Sequence, residues 1–411
     1  NEESEEELSV EDLNTIGDMY YFGDGVEQDY EEAVEWYKAA ARQDYDLAQY
    51  NLGHMYRNGY GVAQDYTKAI QWYKKAAEQG NSEAQNSLGD MYYFGDGVEQ
   101  DYEEAIQWYR KAAEQGNGKA QNSLGDMYYW GRGVEQDYEK AVQWYKIATE
   151  QEYDWAQYNL GHMYRNGYGV AQDYIKAVKW YRKAAEQGNS EAQNSLGDMY
   201  YSGQGIEQNY EEAVRWYKKA AEQGYNWAQY NLGYMYRNGY GVAQDYTKAI
   251  KWYKEAAEQG NDSAQNVLGI IYYSGEGVIQ DYEEAVKWYK KAAEQGNSSA
   301  QNGLGIMYED GYGVTQNYRE AVKWYRTAAE QGNDWAQYNL GNMYYSGKGV
   351  TKSYTEAVKW FRVAAEQGNS NAQNSLGNMY YSGKGVIQNY EEAVQWYRKA
   401  AGQGYDWAQY N

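Results

Sequence analysis

The sequence predicts an all-α solenoid of about eleven 36-residue helix-turn-helix repeats, and three observations carry that prediction. The block Leu52-Gly53-His54-Met55-Tyr56-Arg57-Asn58-Gly59-Tyr60-Gly61-Val62 returns as Leu88-Gly89-Asp90-Met91-Tyr92-Tyr93-Phe94-Gly95-Asp96-Gly97-Val98, 36 residues later. Its copies open at Ile16, Leu52, Leu88, Leu124, Leu160, Leu196, Leu232, Leu268, Leu304, Leu340 and Leu376, without insertion or deletion. A fixed period of this length is the signature of a stacked repeat array, which grows by adding units and not by closing separate cores. Within each unit the apolar residues recur at helical spacing. Finally, the 411 residues include no proline, where average usage gives roughly twenty; helices joined by short glycine turns can do without it.

Residues 1–8 are an acidic leader, and the array runs over 9–411 as a single solenoid with an incomplete last repeat. Ser9 before Val10-Glu11-Asp12 reads as an N-cap followed by an acidic first turn. In the second unit a first helix, A, spans Asp46 to Asn58, with Ala48, Leu52, Met55 and Tyr56 forming one apolar stripe. Gly53 interrupts that stripe, at a cost of about 1 kcal/mol relative to alanine. Its return in every unit argues that a partner helix approaches closely there. Gly59 and Gly61 allow positive φ at the helix end and in the turn, and Val62 returns to the core. No strand precedes this Gly-x-Gly and the Gly-x-x-Gly continuation is missing, so it is not a phosphate loop.

A second helix, B, follows a row of capping residues: Asp29, Asp65, Asp101, Asp137, Asp173, Asn209, Asp245, Asp281, Asn317, Ser353 and Asn389. Glu32, Glu104, Glu212, Glu284 and Glu392, three residues on, predict capping boxes. The apolar stripe is Tyr66, Ala69, Ile70, Trp72, Tyr73, Ala76 and Ala77, with Lys74 and Lys75 placed later, where the helix dipole favours them. Gly80 ends the helix, a role that falls to Asp44 and Glu152 in two other units. The tryptophan row from Trp36 to Trp396, and Tyr30 with its equivalents, read as core.

Sixty acidic against 37 basic residues give a net charge of −23. A surface this negative repels nucleic acid and anionic membranes; it serves the solubility of a long rod or, more sharply, a basic partner. The absence of cysteine excludes disulfides and thiolate metal sites. No apolar run approaches the roughly 20 residues that span a bilayer. The start at Asn1 fits a removed signal peptide and slightly favours an extracytoplasmic location.

Ala84, Leu88-Gly89, Tyr92, Gly95-x-Gly97-Val98, Asp101, Ala105, Trp108-Tyr109 and Ala112-Ala113 resemble the Sel1-like repeat family, relatives of the tetratricopeptide repeats, over nearly the whole chain. That resemblance implies a right-handed superhelix of antiparallel helix pairs with the A helices on its concave side. It also implies a non-catalytic role as adaptor or scaffold. A cysteine-rich branch of the family has been linked to penicillin binding; without cysteine, that association does not carry over.

Positions 47, 50, 54 and 57 and their equivalents line a second side of helix A. Their occupants vary between units. The first row holds Leu47, Trp155, Trp227, Trp335 and Trp407 among polar residues; the second holds Tyr50, Tyr158, Tyr230, Tyr338 and Tyr410 among asparagines. The third includes Asp18, His54, Asp90, Asp126, His162, Asp198 and Tyr234, and the fourth is tyrosine interrupted by Arg57, Arg165, Arg237 and Glu309. Trp, Tyr and Arg dominate binding hot spots, so Tyr50, His54, Arg57, Trp155, Tyr158, His162, Arg165, Trp227, Tyr230, Tyr234, Arg237, Trp335 and Tyr338 are candidate contacts for a partner protein or peptide. A glycan is a weaker candidate. Packing of the same aromatics against the neighbouring A helix is the alternative, evenly weighted for Trp155 and its equivalents. His54 and His162 read as copies of a surface residue, and neither has a catalytic partner in sequence. The aspartate column is too widely spaced for a metal cage, and no cofactor is indicated. Asn261-Asp262-Ser263 and Asn297-Ser298-Ser299 fit the glycosylation sequon. The chain ends within a helix A, which opens a second reading, end-to-end self-association of the Asn411 and Ser9 ends into a filament.

Overall fold

The computed structural model describes residues 8–402. The acidic leader up to Glu7 and the closing stretch Tyr405–Asn411, on which the filament reading rests, lie outside the described residues. Twenty-two α-helices, and no strand, run among the described residues from α1 (Val10–Phe22) to α22 (Tyr390–Ala401). They alternate as helices A and B, giving eleven pairs. The second pair is α3 (Asp46–Asn58) and α4 (Tyr66–Glu78), with the bounds the periodicity predicts. The chain packs as two units, residues 1–209 and 210–411. Within each, every helix packs on its neighbours in sequence, more extensively inside a pair than between pairs.

No repeat owns its core. One apolar cluster joins Ala33, Val34, Tyr37, Ala40 and Ala41 of the first helix B to Ala48, Leu52 and Met55 of the second helix A. Leu52 and Met55 are fully buried, each worth about 1.5–3 kcal/mol relative to exposure. That stabilisation exists only once the preceding repeat is in place, which is why such units stack. Tyrosines fill the space a larger helix-A residue would need: a Cβ on Gly53 would lie 2.6 Å from the Tyr73 ring. Gly61, at φ +63, has the backbone of Tyr30 in the place of its missing side chain. These two glycines hold the inter-helix and inter-repeat spacing.

A buried polar clamp accompanies each core. Gln85 Nε2 donates to Ala77 O at 3.0 Å, across the junction from helix B of the preceding repeat. Its Oε1 accepts from Gln115 Nε2 at 2.8 Å. The same arrangement joins Gln49, Ala41 O and Gln79. The N-caps behave as the sequence predicts: Asp65 accepts from Lys68 N, and Ser9 forms a reciprocal box with Asp12. The glutamate capping boxes need correction. Glu104 accepts instead from Trp108 Nε1 at 2.9 Å, and Glu284 pairs with Lys287. Those side chains find a stronger or closer donor than the N-cap amide.

The tryptophan row is only partly core. Trp108, Trp216, Trp288 and Trp396 are buried, while the other seven, from Trp36 to Trp360, stay half-exposed. Lysines one turn on cover several of them: Lys111 Nζ lies 4.0 Å from the Trp108 ring centre and Lys75 Nζ 4.3 Å from Trp72. Asn261 and Asn297 of the two sequons are spent as helix N-caps for Ala264 N and Ala300 N, and Asn261 is buried. Asn297 Nδ2 also donates to Asp262 at 2.8 Å. Neither amide nitrogen is presented for glycosylation.

Candidate functional site

The second side of helix A divides into layers by depth. Its outermost residues are large and apolar: Leu47, Trp155, Trp227 and Trp335 are exposed, from 39% for Leu47 to 51% for Trp335. Each tryptophan ring meets the tyrosine one turn on edge-first, with centres 6.0 Å apart for Trp155 and Tyr158, 6.1 Å for Trp227 and Tyr230, and 6.3 Å for Trp335 and Tyr338. The tyrosines in turn lie on the aromatic core of helix B, Tyr50 on Tyr73, Tyr158 on Tyr181, Tyr230 on Tyr253 and Tyr338 on Phe361. Thus Tyr158, Tyr230 and Tyr338 brace the tryptophans, which carry the accessible area, and Tyr50 holds the same place one turn after Leu47.

His54 and His162 are not surface copies. Each is half-buried between two tyrosine rings, His54 with Tyr21 and Tyr60, His162 with Tyr129 and Tyr168. Burial, helped by the charge of Arg57 or Arg165, holds each imidazole below its ordinary value and hence neutral at pH 7. Tyr234 shares this environment with Tyr240, ring centres 6.0 Å apart.

The arginines are engaged within the array. Arg57 stands 3.5 Å from Asp96 in the turn of the next repeat and 3.8 Å from Asp90. Arg165 lies 3.8 Å from Asp198, and Arg237 grips both carboxylate oxygens of Glu276. Glu309 occupies the arginine position two periods after Arg237, and there the turn residue of the next repeat is Lys348, 3.5 Å away. Tyr93 receives Arg132 over its ring at 5.3 Å, Tyr345 receives Lys384, and Tyr21 and Tyr273 meet Tyr60 and Tyr312. Except for Arg57 with Asp90 and Arg165 with Asp198, which join one helix A to the next across 33 residues, each pair joins residues 39 apart, helix A of one repeat to the turn of the next.

The aspartate column has a role that sequence reasoning missed. Tyr37, Tyr109 and Tyr145 each donate their hydroxyl to the aspartate 19 residues earlier, Asp18, Asp90 and Asp126, at 2.7–2.8 Å. Burial pushes Asp126 up to about 6 despite this bond, and raises Asp90 as well. Two half-open cavities lie beside the column, at Asp18 and at Asp126, and a third lies at Asn342. Among the described residues no three His, Asp or Glu converge as metal ligands, and no helix is long and apolar enough to cross a membrane.

Paired helices, a shared inter-repeat core and a variable aromatic face define an α-solenoid repeat protein of the kind generally used as a non-catalytic interaction scaffold. The Sel1 repeat model matches eleven times, from 15–45 and 46–81 through 336–369 and 370–405. The chain belongs to the Sel1 repeat family. It is similar to c5321, a protective antigen present in uropathogenic Escherichia coli strains, at 42% identity over 97% of this chain and 86% of that one, with a TM-score of 0.76. A Sel1 repeat protein from Oxalobacter formigenes is 36% identical over 75% of this chain and 90% of its own, with a TM-score of 0.58. No curated protein matches the chain.

Proposed function

We propose that this chain is a non-catalytic scaffold that takes a segment of a partner protein on the A-helix face. The observation that carries the reading is the exposed tryptophan on helix A, Trp155 in the first unit and Trp227 and Trp335 in the second, each braced by a tyrosine. A solenoid unit has no internal use for a large apolar ring held half in water, whereas a hot spot consists of such a ring. The rigid tyrosine bracing lowers the ordering cost of engaging it. Ion pairing with neighbouring turns takes Arg57, Arg165 and Arg237 out of the front rank, and leaves them a part in shaping the face. The test is affinity capture with quantitative mass spectrometry, comparing the native chain, the pair Trp155→Ala with Trp335→Ala, and Lys75→Ala on helix B. Loss of the same captured proteins from the tryptophan variant alone, at unchanged helical circular dichroism, supports the reading. Equal retention by all three overturns it.

A further inference from the structure

We propose that the cavities at Asp18 and Asp126 are two equivalent cages for lysine or arginine side chains of a basic protein segment. This inference rests on the scaffold reading and adds the chemistry of the partner. The Asp126 cavity lies between α7 (Gly118–Trp130) and α9 (Asp154–Asn166), above Tyr145 of α8 (Tyr138–Glu150). Its walls are the rings of Tyr129, Trp130, Tyr158 and His162, and its floor is the Asp126 carboxylate. The Asp18 cavity, 108 residues earlier, repeats the design, with Phe22 in the place of Trp130. Aromatic faces around a carboxylate fit an organic cation, since the rings attract it through their quadrupoles and the carboxylate supplies the counter-charge.

The carboxylates are oriented but not neutralised. Asp126 accepts from Tyr145 Oη at 2.7 Å, Asn122 Nδ2 at 3.1 Å and Asn159 Nδ2 at 3.2 Å, all neutral donors. Asp18 has the same three partners in Tyr37, Asn14 and Asn51. Among the described residues no Lys, Arg or His nitrogen lies within 4.0 Å of either. The rest of the column shows what such a carboxylate takes when the chain supplies it: Arg57 approaches Asp90, and Arg165 approaches Asp198, from the preceding helix A. Before Asp126 that position is Tyr93, which carries no charge of its own; Arg132 lies over its ring at 5.3 Å and over the Trp130 ring at 5.8 Å, on the cavity's rim, and makes no ion pair with Asp126. The third cavity is the internal contrast. It has Asn342 in the aspartate position and already contains Lys384, so it presents no anion.

Both cages open on the A-helix face of one unit, three repeats apart, so a single extended segment with spaced cations can reach both. The net charge of −23 draws such a segment in. A methionine lines each cavity, Met55 at Asp18, Met163 at Asp126 and Met379 at Asn342. Their ¹³C-labelled methyl groups therefore report each site separately. Titrated with a short alanine–lysine peptide, Met55 and Met163 shift saturably while Met379 does not; the lysine-acetylated peptide leaves all three in place. Asp126→Asn weakens the response at Met163 at least about tenfold and spares Met55, and Asp18→Asn does the reverse. Shifts that ignore both substitutions, or that appear equally at Met379, overturn the cages. If the tryptophan-dependent partners are captured while both methyls stay silent, the scaffold reading stands and the cages fall. The opposite pattern separates the two in the other direction.

Discussion

Asp126→Asn bears on stability as well as on binding, and the two effects have opposite signs. A carboxyl group of ordinary value 3.8 that burial pushes up to about 6 pays about 3 kcal/mol to be ionised in the folded chain. Because the folded value is raised, the folded state holds the proton more tightly than the unfolded state. The associated stability is complete below about pH 4 and is lost as pH rises through about 6. Asparagine does not titrate and escapes that penalty. It keeps the bond from Tyr145, as Asn378 does in accepting from Tyr397 Oη at 2.6 Å. It gives up the bond from Asn122, worth about 1 kcal/mol. The variant is therefore expected to be about 2 kcal/mol more stable than the native chain at pH 8 and about 1 kcal/mol less stable at pH 4. A long array unfolds by segments, so the measurement should be local. Hydrogen exchange of peptides from α7, α8 and α9 in dilute urea at the two pH values provides it. An equal loss of protection at both pH values would show that no desolvated charge is being relieved.

Three further outcomes follow from the packing. Gly53→Ala adds a methyl group 2.6 Å from the Tyr73 ring; overpacking of about 1–3 kcal/mol should outweigh the helix-propensity gain of about 1 kcal/mol, and a raised urea midpoint would contradict the close-approach account. Glu152 holds a left-handed φ of 56° where most repeats have glycine, so Glu152→Gly should stabilise by about 1 kcal/mol, read as slower exchange around residues 148–157. The two-point grip of Arg237 on Glu276 should give a coupling energy of about 1 kcal/mol in a double-alanine cycle, weakening in high salt; strict additivity would reduce the pair to a surface coincidence.

Most of the fold was legible because the repeat states each rule eleven times. Helix bounds, the N-caps of helix B and the close-approach role of Gly53 can all be read from one unit, since they depend on local backbone chemistry and on the apolar period. What was not legible lies between units. The acceptance of the Tyr145 proton by Asp126 joins residues 19 apart on different helices, and the grip of Arg57 on Asp96 joins residues 39 apart. Neither spacing belongs to any helix period. A signal did exist: reading position 57 of each repeat against the turn of the next pairs Arg57 with Asp96, Arg237 with Glu276 and, with signs reversed, Glu309 with Lys348. The histidines were misjudged for the same reason, because the tyrosines that bury His54 flank it in space, one from the preceding repeat and one from its own turn. The glutamate capping boxes failed where Trp108 and Lys287 offered nearer donors.

The pairs between helix A and the following turn also limit how such an array can lengthen or shorten. Units this similar invite unequal exchange, in which whole repeats are lost or copied. Dropping the third repeat would set Arg57 against Arg132, two like charges in a half-buried site, and would delete Asp96, its partner. Dropping the second, third and fourth together would set Tyr21 against Tyr168, the same tyrosine pair that Tyr21 now makes with Tyr60 and Tyr129 with Tyr168. At this end of the chain a step of three repeats, 108 residues, leaves this junction as it was, and that is also the spacing of the two carboxylate cages. An exchange that respects the junctions adds or removes one cage as a whole, so the number of cations the face can hold changes in integers.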